Sequence, residues 1–352
     1  MALPGLSHRP VSLFRMTENR LIKSSMIPSG SPIRDFAVAD VKGRPLVVCA
    51  DWYSDVSAWD LLGDEWMKRP LAKFDNGAYG IPVYPDFEHV AADVVDGRVL
   101  FAAGGQHQGP GLWDLISGDL LSAPSEFHTR SHAVAMTRVD GRTVAVAGGG
   151  APKVWVWDPS DSEVEPWGPS DDEFSEEQEP LELPGHADDM CGLVTGRLDG
   201  RTVVVSGGGS TVVVSDLESA GLIHEWSAGA MVHAVALSEI GGRPVVLATT
   251  DVGEIRIWDP VDGGSVGNVP TGHGDRISAL DAAVVGGRTV AVTGSDDGTA
   301  RIWDLAGGRQ VGSPLAGHGG EIWTVAITPV DGRHVVLTAG RDGIVRVWDP
   351  AN

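Results

Sequence analysis

His273, Thr293 and Asp297 bring together an imidazole, a hydroxyl and a carboxylate, and His318, Thr338 and Asp342 repeat the set 45 residues later. Hydrolases use these three groups to make an attacking oxygen: the imidazole takes the hydroxyl proton while the carboxylate steadies the imidazole. A catalytic site is needed once, whereas this spacing occurs twice, and each copy places a tryptophan ten residues after its hydroxyl, at Trp303 and Trp348. The recurrence and the tryptophan make the set a structural network rather than a reaction centre. A further stretch keeps His186 and Ser206 but carries Ser215 where the others carry tryptophan.

Gly263, Ser265 and Gly267 spell the G-x-S-x-G pattern of a nucleophile elbow, which needs a strand before the serine and a helix after it. The neighbouring residues predict a Gly-rich hairpin turn with no helix near it, so no nucleophile is expected at Ser265. The chain lacks a G-x-x-x-x-G-K-S/T phosphate loop, an H-E-x-x-H zinc pair and an EF-hand calcium loop, and neither a cofactor nor a metal is expected. Its two cysteines, Cys49 and Cys191, stand far apart without C-x-x-C spacing, which argues against a disulfide framework and against structural zinc.

The elements that carry these residues repeat. Residues 286–305, GGRTVAVTGSDDGTARIWDL, hold two runs of alternating apolar and small residues joined by Asp296-Asp297-Gly298, whose glycine supplies the positive φ of a tight turn. One hairpin cannot bury a face alone. A Gly-Arg pair opens the unit at Gly43, Gly97, Gly141, Gly200, Gly242, Gly287 and Gly332, and a Trp-Asp pair closes it at Trp59, Trp113, Trp157, Trp258, Trp303 and Trp348, with Ser215-Asp216 in the same register. The last three intervals between closing pairs are 43, 45 and 45 residues, a period that predicts propeller blades of four strands. The expected fold is all-β: a seven-bladed β-propeller of four-stranded antiparallel blades. Its inner strands begin near Ile33, Phe87, Ser131, Met190, Val232, Ile277 and Ile322.

With Gly272-His273 and Gly317-His318 ahead of the inner strands, the unit runs Gly-His, strand, turn, strand, Asp turn, strand, Trp-Asp. Here residues 20–350 resemble the WD-repeat family, in the manner of a soluble bacterial-type member. The resemblance implies that Asp297 holds His273, that His273 meets the Thr293 hydroxyl and that this hydroxyl reaches the indole nitrogen of Trp303. It implies the same for Asp342, His318, Thr338 and Trp348. Blades 1, 2, 3 and 5 lack the full set and are expected to hold by packing alone. Members of that family serve as rigid platforms for protein partners, so the resemblance also implies a non-catalytic scaffold.

Residues 20–28, RLIKSSMIP, align with the outer-strand sequence RQVGSPLAG at 309–317, while the sequence stops just after the third strand of the seventh repeat. An open strand edge is a template for aggregation. The N-terminal strand at 20–28 is therefore expected to fill that place and close the ring, making 20–352 a single propeller domain. Residues 1–19, with Pro4, Gly5 and Pro10, are expected to be poorly ordered. Two insertions interrupt the repeats: an aromatic one between Leu61 and Glu88 with Trp66, Phe74, Tyr79, Tyr84 and Phe87, and an acidic one over 159–183 with ten carboxylates, expected to be a solvated loop.

A net charge of −22 repels phosphate backbones and anionic headgroups, so neither nucleic acid nor a membrane surface is an expected partner. No stretch reaches the roughly 20 apolar residues of a membrane span, and the opening residues have no apolar signal region. A cytoplasmic location is expected.

The residue one place after each blade start reads Arg34, Glu88, His132, Cys191, His233, Ser278 and Trp323. Farther along the inner strands the residues are mostly Ala, Val, Leu or Ile, so packing does not account for this variety. Asp35, His89, Trp52, Tyr53, His107, Arg130, Arg276 and Arg341 are expected on the same face. One reading is a surface that recognises a protein partner of unknown identity through Arg34, Trp52, Tyr53, Glu88, His132, Cys191, His233, Ser278, Trp323 and Arg341, with Trp, Tyr and Arg as anchors. The alternative is a small-molecule or catalytic pocket at the channel mouth, in which His132, His233 and Glu88 move protons beside Arg34 and Cys191 acts as nucleophile.

Overall fold

The two-residue turns fix the architecture. Seven pairs, from Lys42-Gly43 to Asp331-Gly332, have positive φ at both positions, 56° and 81° in the first and 49° and 76° in the last. That turn matches the natural twist of two antiparallel strands, and glycine holds the second position at no steric cost. Each second strand then starts on the arginine of the Gly-Arg pair, from Arg44–Asp51 in blade 1 to Arg333–Gly340 in blade 7.

The computed structural model describes residues 19–53, 55–69, 87–105, 110–122, 131–149, 153–157, 181–186 and 188–350. Among them the strands form seven four-stranded antiparallel sheets, each ordered from an inner to an outer strand. The inner strands are Ile33–Val41, His89–Val95, Ser131–Val139, Met190–Leu198, Val232–Ile240, Ile277–Val285 and Ile322–Val330. Six begin at the expected residue. The second begins at His89 rather than Phe87, because Phe87 turns into the core against Trp113, with ring centroids 5.2 Å apart. Each inner strand packs against the next, and the last, Ile322–Val330, returns to the first. The ring is closed by Arg20–Met26, which pairs antiparallel with Ile344–Asp349 as the outer strand of blade 7. Leu181–Pro184, at the end of the expected acidic insertion, is the outer strand of blade 3. Residues 1–18, residues 158–180, Phe74, Tyr79, Tyr84, His107 and Arg130 lie outside the described residues.

The core is laid down between blades, where the face of one sheet meets the next. Ile33, Phe36, Val47 and Trp59 of blade 1 interleave with Val335, Leu337 and Val347 of blade 7, and Ala279, Val292 and Ile302 of blade 6 meet Ile322, Val325 and Trp348 of blade 7. Such burial is worth roughly 25 cal/mol per Å² of apolar surface and is what a lone hairpin lacks.

The closing Trp-Asp pair has two separate duties. Its aspartate caps the turn to the outer strand in blades 1, 2, 4, 5 and 6, and in blades 1, 2, 4, 5 and 7 it holds the arginine of the Gly-Arg pair across the sheet, whereas Asp304 of blade 6 pairs with Arg309. Asp114, for example, accepts the backbone N–H groups of Ile116 and Ser117 and the Nε–H of Arg98 at 2.6 Å. Arg44–Asp60, Arg201–Asp216, Arg243–Asp259 and Arg333–Asp349 repeat the ion pair. Among the described residues, the tryptophan is held in one of two ways. In blades 6 and 7 its indole donates to a threonine: Trp303 Nε1 to Thr293 Oγ1 and Trp348 Nε1 to Thr338 Oγ1, both at 2.9 Å. In blades 1, 2 and 5 it stacks on an aromatic neighbour, Trp59 on Trp66, Trp113 on Phe101 and Trp258 on Trp226.

The two full networks have the expected connections. His273 Nε2 meets Thr293 Oγ1 at 2.8 Å and its Nδ1 meets Asp297 Oδ2 at 2.9 Å. His318 does the same with Thr338 at 2.7 Å and Asp342 at 3.0 Å. In blade 4, His186 Nε2 contacts Ser206 Oγ at 2.9 Å, and Thr211 Oγ1 stands 2.7 Å from Nδ1, in the aspartate's role. Blade 1 corrects the expectation of packing alone. Its buried Asp51 accepts the Ser29 hydroxyl at 2.6 Å and the N–H groups of Tyr53 and Asp55, both at 2.9 Å. Ser265 also departs from expectation: it opens the outer strand Ser265–Pro270 instead of lying in the turn.

Candidate functional site at the channel mouth

The seven singled-out residues are set at one level of the ring by a backbone device that the sequence did not reveal. In six blades the pairing register slips at the start of the inner strand, skipping Arg34, His132, Cys191, His233, Ser278 and Trp323. A β-bulge leaves its extra residue out of the ladder and re-aims the side chain. Blade 2 has no such slip there: Glu88 precedes the strand, and its N–H donates to the Gly104 carbonyl at 2.9 Å. All seven side chains are half-buried, a belt around the mouth rather than a flat exposed face.

Three of them join. Glu88 lies between Arg34 and His132, with Oε1 3.8 Å from an Arg34 Nη and Oε2 3.3 Å from His132 Nδ1. Burial pushes the Glu88 carboxyl up, but the hydrogen bond from His132 and the charges of His89 and Arg34 outweigh it and hold the group below the usual carboxylate value. The Arg34 guanidinium lies 3.6 Å over the Trp52 ring and 5.8 Å from the Trp323 ring, and the two indoles are 5.9 Å apart. Asp35, one residue on, accepts the N–H of Val90 at 3.0 Å and the Thr324 hydroxyl at 2.7 Å, and faces His89 Nδ1 at 3.6 Å.

With Trp323 beside Arg34, the remaining three, Cys191, His233 and Ser278, make local contacts. Ser278 donates to the Ile322 carbonyl at 2.6 Å, tying blade 6 to blade 7. Cys191 points its thiol at the Asp189 carbonyl, 3.8 Å away, and burial together with the Asp189 charge pushes the thiol up, with Arg276 opposing. His233 is held below its usual value by burial and by Arg276. Arg341 pairs with Glu321 at 2.6 Å, and Arg276 with Asp296 at 3.0 Å.

Chemically, the mouth offers a carboxylate-oriented imidazole whose Nε2 is buried without a partner among the described residues, as is that of His233. Cys191 is a poor nucleophile, since the thiolate is the reactive form and this thiol is biased toward its proton. Beyond the belt, all seven inner strands line a channel cavity of about 400 Å³ with Phe36, Val90, Val134, Leu193, Val235, Leu280 and Val325. Asp281 is the one ionisable residue among the described residues that line it, accepting the N–H groups of Ala282 at 2.8 Å and Ile327 at 2.7 Å. Neither inner-strand aspartate was singled out as a blade-to-blade bond, because a lone Asp in an apolar strand carries no spacing signal. Trp52 and Tyr53, in the turn above Arg34, are 46% and 73% exposed, and Met231 and Val252 of blade 5 add exposed apolar surface on the same side of the ring. No group of three His, Cys, Asp or Glu residues is placed to hold a metal, and no helix is long and apolar enough to cross a membrane, among the described residues.

The ring defines a propeller built from Trp-Asp repeats, and the family model described as WD domain, G-beta repeat matches residues 264–304 and 308–349. These stretches run from the outer strand of one blade through the Trp-Asp pair of the next, and they contain both complete His-Thr-Asp-Trp networks. Together with the seven-bladed ring, the two matches support a place in the WD-repeat family, without pointing to any branch of it. No curated protein matches the chain.

Proposed function

We propose that this propeller is a non-catalytic platform that binds a protein partner through the face around the channel mouth. The observation that carries this is the exposure of Trp52 and Tyr53 directly above the half-buried Arg34 and Trp323. Exposed Trp and Tyr backed by a held Arg form the kind of cluster that dominates interface energetics. WD-repeat propellers in general mediate protein interactions, which supports the reading without naming the partner. The charge of −22 disfavours nucleic acid and anionic membrane, and two free thiols suit a reducing compartment, so the proposed place of action is the cytoplasm.

The test is affinity capture from the native lysate with wild type, a Trp52→Ala/Tyr53→Ala variant, and a Leu62→Ala/Ile116→Ala control on the opposite face. The reading requires a partner retained by wild type and control and lost by the mouth variant. A partner retained by all three contradicts it. One observation favours a second reading, a small-molecule or catalytic site: the Glu88–His132 contact, whose imidazole Nε2 has no partner among the described residues. A metabolite that co-purifies with wild type and is lost in His132→Gln would replace the platform by that reading.

A further inference from the structure

Arg34 presents a planar fork of five N–H donors, yet among the described residues it donates no hydrogen bond. The Glu88 oxygen it faces is 3.8 Å away, beyond hydrogen-bond reach, and its Nε is buried without a partner. The other Glu88 oxygen is occupied by His132. At the same time the guanidinium is fixed, lying 3.6 Å over Trp52 with Trp323 on the wall beside it. A charged donor that is held in place, faces Glu88 only at ion-pair distance and has no hydrogen-bond acceptor among the described residues is an arrangement completed from outside.

We propose that Arg34 is the receptor for a single carboxylate of the partner, an Asp or Glu side chain carried in an otherwise apolar segment. The inference rests on the mouth-side platform and names the chemistry of what docks there. A carboxylate matches the guanidinium fork with two parallel hydrogen bonds. Stacking has already frozen the arginine, so little side-chain freedom is lost when the bonds form. The apolar neighbours of the acid have a place to rest on the exposed Trp52 and Tyr53. The charges nearby set the limit to one acid. Asp188 and Asp251 are exposed on the same end of the ring and form no ion pair among the described residues, and the chain carries −22, so an acidic run or a cluster of phosphates is repelled.

The experiment is selection of random linear peptides on the full chain, followed by binding of the enriched peptides to wild type, Arg34→Gln, Arg34→Lys and Tyr53→Ala. Enriched peptides should share one Asp or Glu beside an apolar residue and should perturb the tryptophan fluorescence contributed by Trp52 and Trp323. Arg34→Gln should weaken them about tenfold or more, and Arg34→Lys should not restore them, because lysine keeps the charge and loses the fork. Changing the peptide's Glu to Gln should cause the same loss on unaltered wild type, which keeps the test valid should an Arg34 variant fold poorly. Peptides that lack an acid, or that bind Arg34→Gln as well as wild type, overturn the carboxylate receptor. If those peptides still need Tyr53, the platform survives. If no enriched peptide depends on either residue, or none is enriched, both fall.

Discussion

Thr324 donates its hydroxyl to Asp35 at 2.7 Å, joining the inner strand of blade 7 to that of blade 1 across 289 positions of sequence. The same aspartate takes the N–H of Val90 in blade 2, so one carboxylate pins three consecutive blades at the closure of the ring. On the other side of blade 7, Asp281 holds the N–H of Ile327. The closing blade is thus fixed by inner-strand carboxylates on both flanks as well as by the N-terminal outer strand. Thr324→Val should lower the unfolding free energy by about 1.5–3 kcal/mol, the range for a hydrogen bond to a charged group, while Thr324→Ser retains most of it. Urea unfolding checks this: the midpoint should fall with the slope unchanged.

Removing residues 1–28 should expose the edge of Ile344–Asp349 along its whole length. The expected result is aggregation or a large drop in melting temperature, measured by light scattering during a thermal scan. A truncated protein that melts like the full chain contradicts closure by the N-terminal strand.

The two ways of holding a blade tryptophan predict different sensitivities. Trp303→Phe removes a buried N–H that Thr293 accepts, whereas Trp59 Nε1 has no partner among the described residues and Trp59→Phe changes only its ring contacts, the stacking on Trp66 and the Lys23 ammonium above it. Trp303→Phe should cost about 1–3 kcal/mol more than its change in volume alone, and Trp59→Phe should show no such excess. Denaturant melts of the two variants side by side provide the comparison.

Acid and neutral pH should act on different residues. Hydrogen bonds from Thr299, Gly274 and His273 outweigh the burial of Asp297 and hold its carboxyl at about 2, against an ordinary 3.8. The network of Asp342 also holds it below its usual value. Their stabilisation is present above the ordinary carboxylate value and is lost as the pH falls through the folded one. Asp281 runs the other way. Burial raises it to about 6 despite its two backbone donors, so the folded chain binds its proton first and stability declines as the pH climbs from about 4 to about 6. The stability of Asp281→Asn relative to wild type should therefore improve across that window. At about 1.4 kcal/mol per pKa unit the upper limit is about 3 kcal/mol. A difference that stays flat from pH 4 to 7 refutes the assignment.

Much of this architecture was legible because its signals are local and repeated. The Gly-Arg pair marks a turn that needs positive φ, and the Trp-Asp pair marks a strand end, so Gly43 and Trp59 already locate a hairpin. His273, Thr293 and Asp297 could be read because their spacing recurs. What escaped was set by register and by long-range contact. The bulges that lift Arg34 and Trp323 out of their ladders depend on pairing across the hairpin, and nothing in the inner strand's own residues announces them. Thr211 in the role of Asp297 is offset by one position from the repeat, so alignment passed over it. That Arg34 would lie over Trp52 follows from the bulge and a neighbouring turn acting together. The seven residues of the mouth were visible as a varied column, but only the three-dimensional contacts divide it into the joined set of Arg34, Glu88, His132 and Trp323 and the locally tied Cys191, His233 and Ser278.

The most direct test of the platform is photo-crosslinking in the native lysate with a benzoylphenylalanine placed at Tyr53, above the channel mouth, and separately at Ile116 on the opposite face. A discrete protein adduct from position 53 and none from position 116 is the predicted result. Adducts from position 116 alone, or none from position 53, would contradict it.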